Sequence, residues 1–307
     1  MNRLLSFVTV MVLASITSAD AQLRLTNVEK LPLDASVEWS SPQFSPSGGL
    51  IYFTNSSYDG IWEYSIETKA VRQITSDPQS GYGFTLSPDG KSIAYRRTNV
   101  DKRTRERRQE IVKRNLADGT FSIVASGSDV STPTFSQNNL LYTVGKQTKN
   151  LSLQKSSGEI AILGIENTKI TLIKGGKKTL LDPFKNGSYI WPSLSPDKRL
   201  ILAYEMSRGA FICDLQGRVI SRLGKRDAPV WTRDGKWIVF MDDKDDGHRI
   251  LSSDLFGISP DGRKIAQLTS TDGVIEMHPQ CSPTANKIVC STLGGEIYLF
   301  TYEESKQ

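Results

Sequence analysis

Six copies of one hairpin pattern, spaced by roughly the length of a four-stranded unit, and a spare strand at one end that matches a gap at the other predict an all-β fold. The expected architecture is a six-bladed β-propeller of four-stranded antiparallel blades, its ring closed by the N-terminal strand. The clearest copy runs from Phe84 to Tyr95: an apolar strand, a Ser-Pro-Asp-Gly turn and a second apolar strand ending in an aromatic. Proline presets φ for the turn, and Gly90 supplies the positive φ that side chains with a Cβ resist. The pattern returns at Pro42–Phe53, in degraded form at Pro133–Tyr142, and again at Pro192–Tyr204, Pro229–Phe240 and Pro279–Cys290. The turn Ser/Thr positions 45, 87, 136, 195, 232 and 282 are 42, 49, 59, 37 and 50 residues apart, as blades with loops of unequal length would be.

The repeat P-x-F-S-P-D-G-K-x-I-A-Y resembles the WD40-like repeat of the TolB propeller, which also occurs in the propellers of some serine peptidases. The resemblance covers about Ser40 to Thr301, although copy three has lost Pro-Asp-Gly and copy six reads Ser282-Pro-Thr-Ala-Asn286. It implies a cell-envelope role in which the propeller mouth docks a lipoprotein. It also implies a separate α/β domain before the propeller, for which this chain has no room.

Taken in order, residues 1–21 read as a cleaved secretory signal. Arg3 is the positive n-region, Leu4 to Ile16 the apolar stretch and Ala19-Asp20-Ala21 the cleavage site. The apolar run is shorter than the ~20 residues a bilayer requires, and no Cys follows the site to carry a lipid anchor. A periplasmic or secreted protein is therefore expected, with no transmembrane segment, as a single propeller over residues 22–302 and a polar tail over 303–307. A net charge of +5 does not argue for nucleic-acid binding. The partner class expected is a protein or envelope component, anionic if the basic loop described below takes part, bound by a monomer.

Residues 22–31 alternate apolar and polar as one strand that belongs to no complete blade. The last hairpin is followed only by a third strand, 296–302. Pairing the two ends completes the ring and removes two edges. Outer strands are readable at 61–66 and 70–75, 110–116 and 121–124, 210–215 and 219–223, and 251–258 and 264–269, several joined by Asp-Gly or Gln-Gly turns. The stretch from Asn150 to Asp182 is longer than a blade needs, and it reads as the outer strands of blade three with a long connection. Cys281 and Cys290 occupy hairpin positions held elsewhere by aromatics. A disulfide between them is conceivable, the alternative being two small apolar residues in place of an aromatic pair; Cys213 reads as a packing residue.

Catalytic signatures are few. There is no G-x-S-x-G elbow, no dinucleotide or phosphate loop, and only His248 and His278, too few for a three-His metal site. In a propeller, one face gathers the loops that join second to third strands and fourth strands to the next blade, and binding sites collect on such loops. The residues there are Glu38 and Trp39, Tyr82, Tyr189 and Trp191, Asp227, Glu276 and His278, with Arg208 in a short neighbouring loop. The alternative is that the aromatics wedge between blades.

Two loops on that face are charged. Arg96 to Arg108 holds seven cations and two acids, suited to an anionic partner or simply to solvent. Asp242 to His248, with Asp243, Asp246 and His248 as candidate binding residues, suggests calcium. Yet Lys244 and Ser253 stand where an EF-hand loop needs oxygen ligands, and a solvated acidic turn or a salt bridge to Arg208 or Arg249 is the alternative. No cofactor is otherwise expected. The functional expectation is a non-catalytic binding module acting through the channel mouth. The alternative is a glycan lyase or hydrolase using Glu38, Glu276, Asp227 and Tyr189.

Overall fold

A computed structural model describes residues 23–136, 139–145, 147–151 and 160–304. The proposed signal segment lies outside the described residues. The described chain is strand and turn without helix, gathered into seven antiparallel sheets. The N-terminal strand is β1 (Leu23–Lys30). Blade one is β2 (Trp39–Phe44), β3 (Leu50–Asn55), β4 (Ile61–Ser65) and β5 (Val71–Thr75). Blade two is β6 (Thr85–Leu86), β7 (Ser92–Val100), β8 (Arg107–Asn115) and β9 (Phe121–Gly127). Blade three shows β10 (Thr134–Ser136), β11 (Asn139–Val144) and β12 (Gln147–Leu151).

A further sheet follows, made of β13 (Ile160–Glu166), β14 (Lys169–Lys174) and β15 (Lys177–Leu181). Blade four is β16 (Tyr189–Leu194), β17 (Leu200–Glu205), β18 (Gly209–Asp214) and β19 (Val219–Gly224). Blade five is β20 (Asp227–Trp231), β21 (Ile238–Asp245), β22 (Ile250–Ile258) and β23 (Ile265–Gln267). Blade six is β24 (Glu276–Cys281), β25 (Lys287–Thr292) and β26 (Ile297–Glu304), with β1 as its outermost strand.

All six hairpins read from the sequence open a blade, and the closing strand is where it was expected. β1 pairs with β26 from Leu23↔Glu304 to Lys30↔Tyr298. The stretch 150–182 is the correction. Only β12 belongs to blade three, and residues 160–181 form a sheet of their own between blades three and four. Tyr189 N donates to Thr168 O at 3.0 Å, which places the β13–β14 turn beside the start of β16. The three strands therefore run in the sense of a blade's second, third and fourth strands, and the described residues include no signature hairpin for this sheet.

The core is distributed rather than central. Seven separate apolar clusters fill the seven junctions between neighbouring sheets, and Leu23 of β1 lies in the one between blades five and six. Each sheet thus buries both faces against its neighbours, as propeller blades must.

The hairpin turns share one face, here called lower, and a common bonding pattern. Ser87 Oγ donates to Asp89 Oδ1 (2.6 Å) and accepts from Ser92 N (2.9 Å). Ser195 with Asp197 and Leu200, and Thr232 with Asp234 and Trp237, repeat it. This geometry explains why the Ser/Thr and Asp of the repeat recur. Gly90 and Gly235 hold φ of 69° and 70°, and in copy four Lys198 takes the same conformation at 58°.

No disulfide joins Cys281 to Cys290, and all three cysteines are free. The hairpin register pairs Cys281 with Ile288, so Cys290 stands two residues beyond its partner and pairs instead with Tyr298. Burial pushes the Cys213 thiol up to about 12 and holds Cys290 well above its usual range. All three thiols are therefore expected to alkylate fully once the protein is unfolded without reductant. Recovery of a linked 281–290 peptide would contradict this register.

Candidate functional site at the channel mouth

The innermost strands carry a repeated irregularity. In β2, β16, β20 and β24 the ladder skips two residues: the pairing breaks between Ser40 and Gln43, Ile190 and Ser193, Asp227 and Val230, and Met277 and Gln280. The second skipped residue is each time a proline, which has no N–H to offer the ladder. The first is left-handed without being glycine: Ser41, Trp191, Ala228 and His278 have φ of 53°, 51°, 46° and 51°. Such bulges re-aim side chains at a cost of the order of 1 kcal/mol each.

Two of the re-aimed residues meet. Trp191 of blade four and His278 of blade six approach to 6.3 Å between ring centroids, across blade five, where the equivalent residue is only Ala228. Space between non-adjacent blades exists only in the channel, so both rings stand in its mouth. Trp191 is 37% exposed and also packs edge-to-face on Tyr204 at 5.5 Å. His278 is open to channel water yet enclosed by protein, which pushes its pKa below 6.5.

Behind Trp191 lies an acidic pair. Burial, and then the neighbouring Asp243 carboxyl, raise Asp227 to about 6, while Tyr204 and Lys225 pull the other way. Lys225 Nζ is 3.8 Å from Asp227 Oδ2 and 3.6 Å from Asp243 Oδ1. Burial and the same two carboxyls push the Tyr204 hydroxyl up to about 12. Burial first of all keeps the Asp227 carboxyl protonated to a higher pH than a free aspartate.

Other predicted residues are placed elsewhere. Trp39 is 7% exposed; its Nε1 donates to Asp34 O at 2.9 Å, and its ring sits edge-on to Phe53 and Trp62 in the junction of blades six and one. Tyr189, 1% exposed, donates to Asp182 Oδ1 and accepts from Phe184 N, both at 2.8 Å, and so fastens the loop into blade four. Glu276 is also 1% exposed. Thr271 Oγ1 donates to its Oε1 at 2.9 Å, Oε2 has no partner, and burial raises it to about 7. All three are junction residues out of a ligand's reach.

Glu38 is exposed beside the start of β2, and Tyr82 is half exposed, with Tyr58 against its edge and Arg96 over its ring. Arg208 pairs with Glu205 at 3.0 Å and lies on the Phe184 ring, which it shares with Arg222 of the outermost strand. The Asp246 carboxylate accepts from His248 N and Arg249 N at 2.9 Å, capping its own turn, and His248 is exposed. Among the described residues no group of three or more His, Cys, Asp or Glu gathers as a metal site.

Sequence reasoning missed Tyr204 and Lys225. Tyr204 was visible as the terminal aromatic of copy four; nothing in the sequence pointed to Lys225. The two tryptophans should separate in a melting experiment. Trp39→Ala is expected to cost about 3–5 kcal/mol, as a buried aromatic does, and Trp191→Ala less than about 1 kcal/mol. Similar losses at both positions would contradict this division between junction and channel.

No family model and no curated protein matches the chain. Solved structures do. TolB from Acinetobacter baumannii is similar with a TM-score of 0.56 and 18% identity, over 81% of this chain and 58% of that one. The β-propeller domain of Myceliophteria thermophila Cps50 (Swd1) gives 0.62 at 10% identity over 91% and 99%. A chain of a Mitotic Checkpoint Complex gives 0.62 at 10% over 98% and 98%. The chain thus spans little more than half the length of the TolB it resembles. At these identities the likeness shows the fold alone: this chain is a closed β-propeller, of the architecture that TolB also carries.

Proposed function

We propose that the protein is a periplasmic or secreted binding module that docks a protein or cell-envelope component on its upper face, the face of the channel mouth, without catalysis. The observation that carries this reading is where exposed apolar surface lies. Among the described residues Tyr82, Val100, Trp191, Met206, Leu251 and Leu293 are large, apolar and at least 37% exposed, and all six belong to the upper loops or strand ends beside them. None of the exposed large apolar residues belongs to a lower turn, and most of the others are on outermost strands. Apolar groups gathered on one face and bordered by charge mark interaction surfaces. No helix among the described residues is long and apolar enough to cross a membrane.

Hydroxyl-radical footprinting in the presence of envelope extract tests the reading, because Trp, Tyr and Met report strongly. Tyr82, Trp191 and Met206 should be protected while Phe121, on the outermost strand of blade two, stays labelled. Protection confined to the outer strands would overturn it.

A second reading, a glycan-active enzyme, draws on the Asp227–Asp243 pair beside Trp191. Of its four candidates Tyr189 and Glu276 are buried, which leaves Glu38, exposed beside β2, and Asp227, whose carboxyl is raised to about 6. Glycan turnover abolished by Asp227→Asn would favour it.

A further inference from the structure

Two upper-face hairpins are built unlike the rest. β7 and β8 have 9 residues each, and β21 and β22 have 8 and 9. The corresponding strands of blades one and four have 6 and 5, and 6 and 6. Their ladders continue to Val100↔Arg107 and to Asp245↔Ile250. Two or three extra residues at ~3.3 Å each lift both tips roughly 7–10 Å above the neighbouring loops.

The two tips carry opposite charge. From Asp101 to Arg108 there are five cations against two acids; from Asp242 to Arg249 there are four carboxylates against two cations. Among the described residues Lys102, Arg103 and Arg105 make no ion pair, and Asp242 makes none either. Blades two and five stand three sheets apart one way round the ring and four the other, so the hairpins face each other across the mouth. Between them lie Tyr82, Trp191 and Leu293.

We propose that this face pairs with the same face of a second copy, the blade-two hairpin of each copy against the blade-five hairpin of the other. A two-fold axis lying in the plane of the face exchanges the two hairpin positions, so a single operation makes both contacts at once. Self-complementarity of that kind is what an isologous interface needs. A heterologous partner would have to carry the same bipolar pattern, whereas a second copy carries it already. The tips stand above the apolar residues of the mouth, so the charged hairpins make the contact. Each solvent-exposed ion pair contributes little, so the dimer they hold is weak and salt-sensitive, and they also steer the encounter and set its register. The inference rests on reading the upper face as the binding face, and it implies that self-pairing covers the channel mouth and competes with any other partner.

Sedimentation velocity on the mature protein tests it, using wild type, Arg103→Glu/Arg105→Glu and Asp242→Lys/Asp245→Lys. Wild type should dimerise at low salt and dissociate by about 0.5 M salt, where the screening length is ~4 Å. Each charge-reversed variant alone should be monomeric. Their equimolar mixture should regain the dimer, because the reversed hairpins complement each other at both contacts. A wild type monomeric at about 100 µM in low salt, a concentration that would reveal even weak pairing, overturns the proposal. So does a dimer indifferent to both reversals, or a mixture no better than its parts. A monomeric wild type that still shows partner footprints at Tyr82 and Trp191 removes self-pairing alone; absence of both effects removes the binding face as well.

Discussion

A protein that begins at residue 31 is expected to melt far below one that begins at residue 22, or to aggregate before melting. β1 is the outermost strand of blade six, and its register with β26 runs the length of both. Leu23 is 1% exposed and packs so closely on blade five that a Cβ added to Gly257 would lie 2.6 Å from Leu23 Cδ2. Burial of one such leucine contributes about 1.5–3 kcal/mol. Whole domains are stable by only ~5–15 kcal/mol, so losing the strand's pairing as well is severe. Truncation also leaves β26, Ile297-Tyr-Leu-Phe-Thr-Tyr-Glu-Glu304, as a long apolar edge open to another chain. Thermal melting with light scattering reads both effects. A truncated protein that melts and elutes like the full form would refute closure by β1.

The second large effect is a pH dependence centred on Glu276. Its carboxyl is buried with one unpartnered oxygen, and burial lifts it from 4.5 to about 7. Between those values the folded protein holds a proton that the unfolded chain has released, so stability falls as pH rises through this window and levels off above it. At 1.36 kcal/mol per unit of difference the loss is at most ~3 kcal/mol. Asp227, raised to about 6, acts in the same direction, while His278, pushed below 6.5, costs stability only as pH falls. Wild type should therefore gain stability from pH 8 to pH 5, an interval that spans both shifted carboxyls. Glu276→Gln, which keeps an oxygen for Thr271, should lose most of that slope and be the more stable protein at pH 8. Equal slopes in the two proteins would show that Glu276 ionises as it does in water.

What the sequence revealed depended on which residues the geometry demands. The hairpins were legible because Ser87, Ser195 and Thr232 each need a nearby Asp and a tight turn, a combination chance rarely repeats. The sheet of β13 to β15 was not, because its visible turns are Asn167-Thr168, both left-handed, and Gly175-Gly176. Matching a spare strand to a missing one tests whether a ring closes; it says nothing of how many sheets the ring holds. The candidate residues near the mouth fell into two sets that sequence reasoning had merged. Trp39, Tyr189 and Glu276 lie three residues before the blade proline and are buried in junctions. Trp191 and His278 lie one before it, on the left-handed residue of the bulge, and face the channel. Strand alternation alone does not predict that offset, because the bulge breaks the alternation.

The central claim is that the channel mouth, marked by Trp191 and His278, is where this propeller engages its partner. The most direct test is quantitative affinity capture from envelope extract with three baits: wild type, Trp191→Ala/His278→Ala, and Lys198→Glu on the lower face. Whatever wild type and the lower-face variant retain in common should be reduced at least about tenfold on the mouth variant, the loss expected of a truncated interface aromatic. Melting temperatures should differ little among the three. Equal capture by all three baits, with the mouth variant properly folded, would contradict the claim.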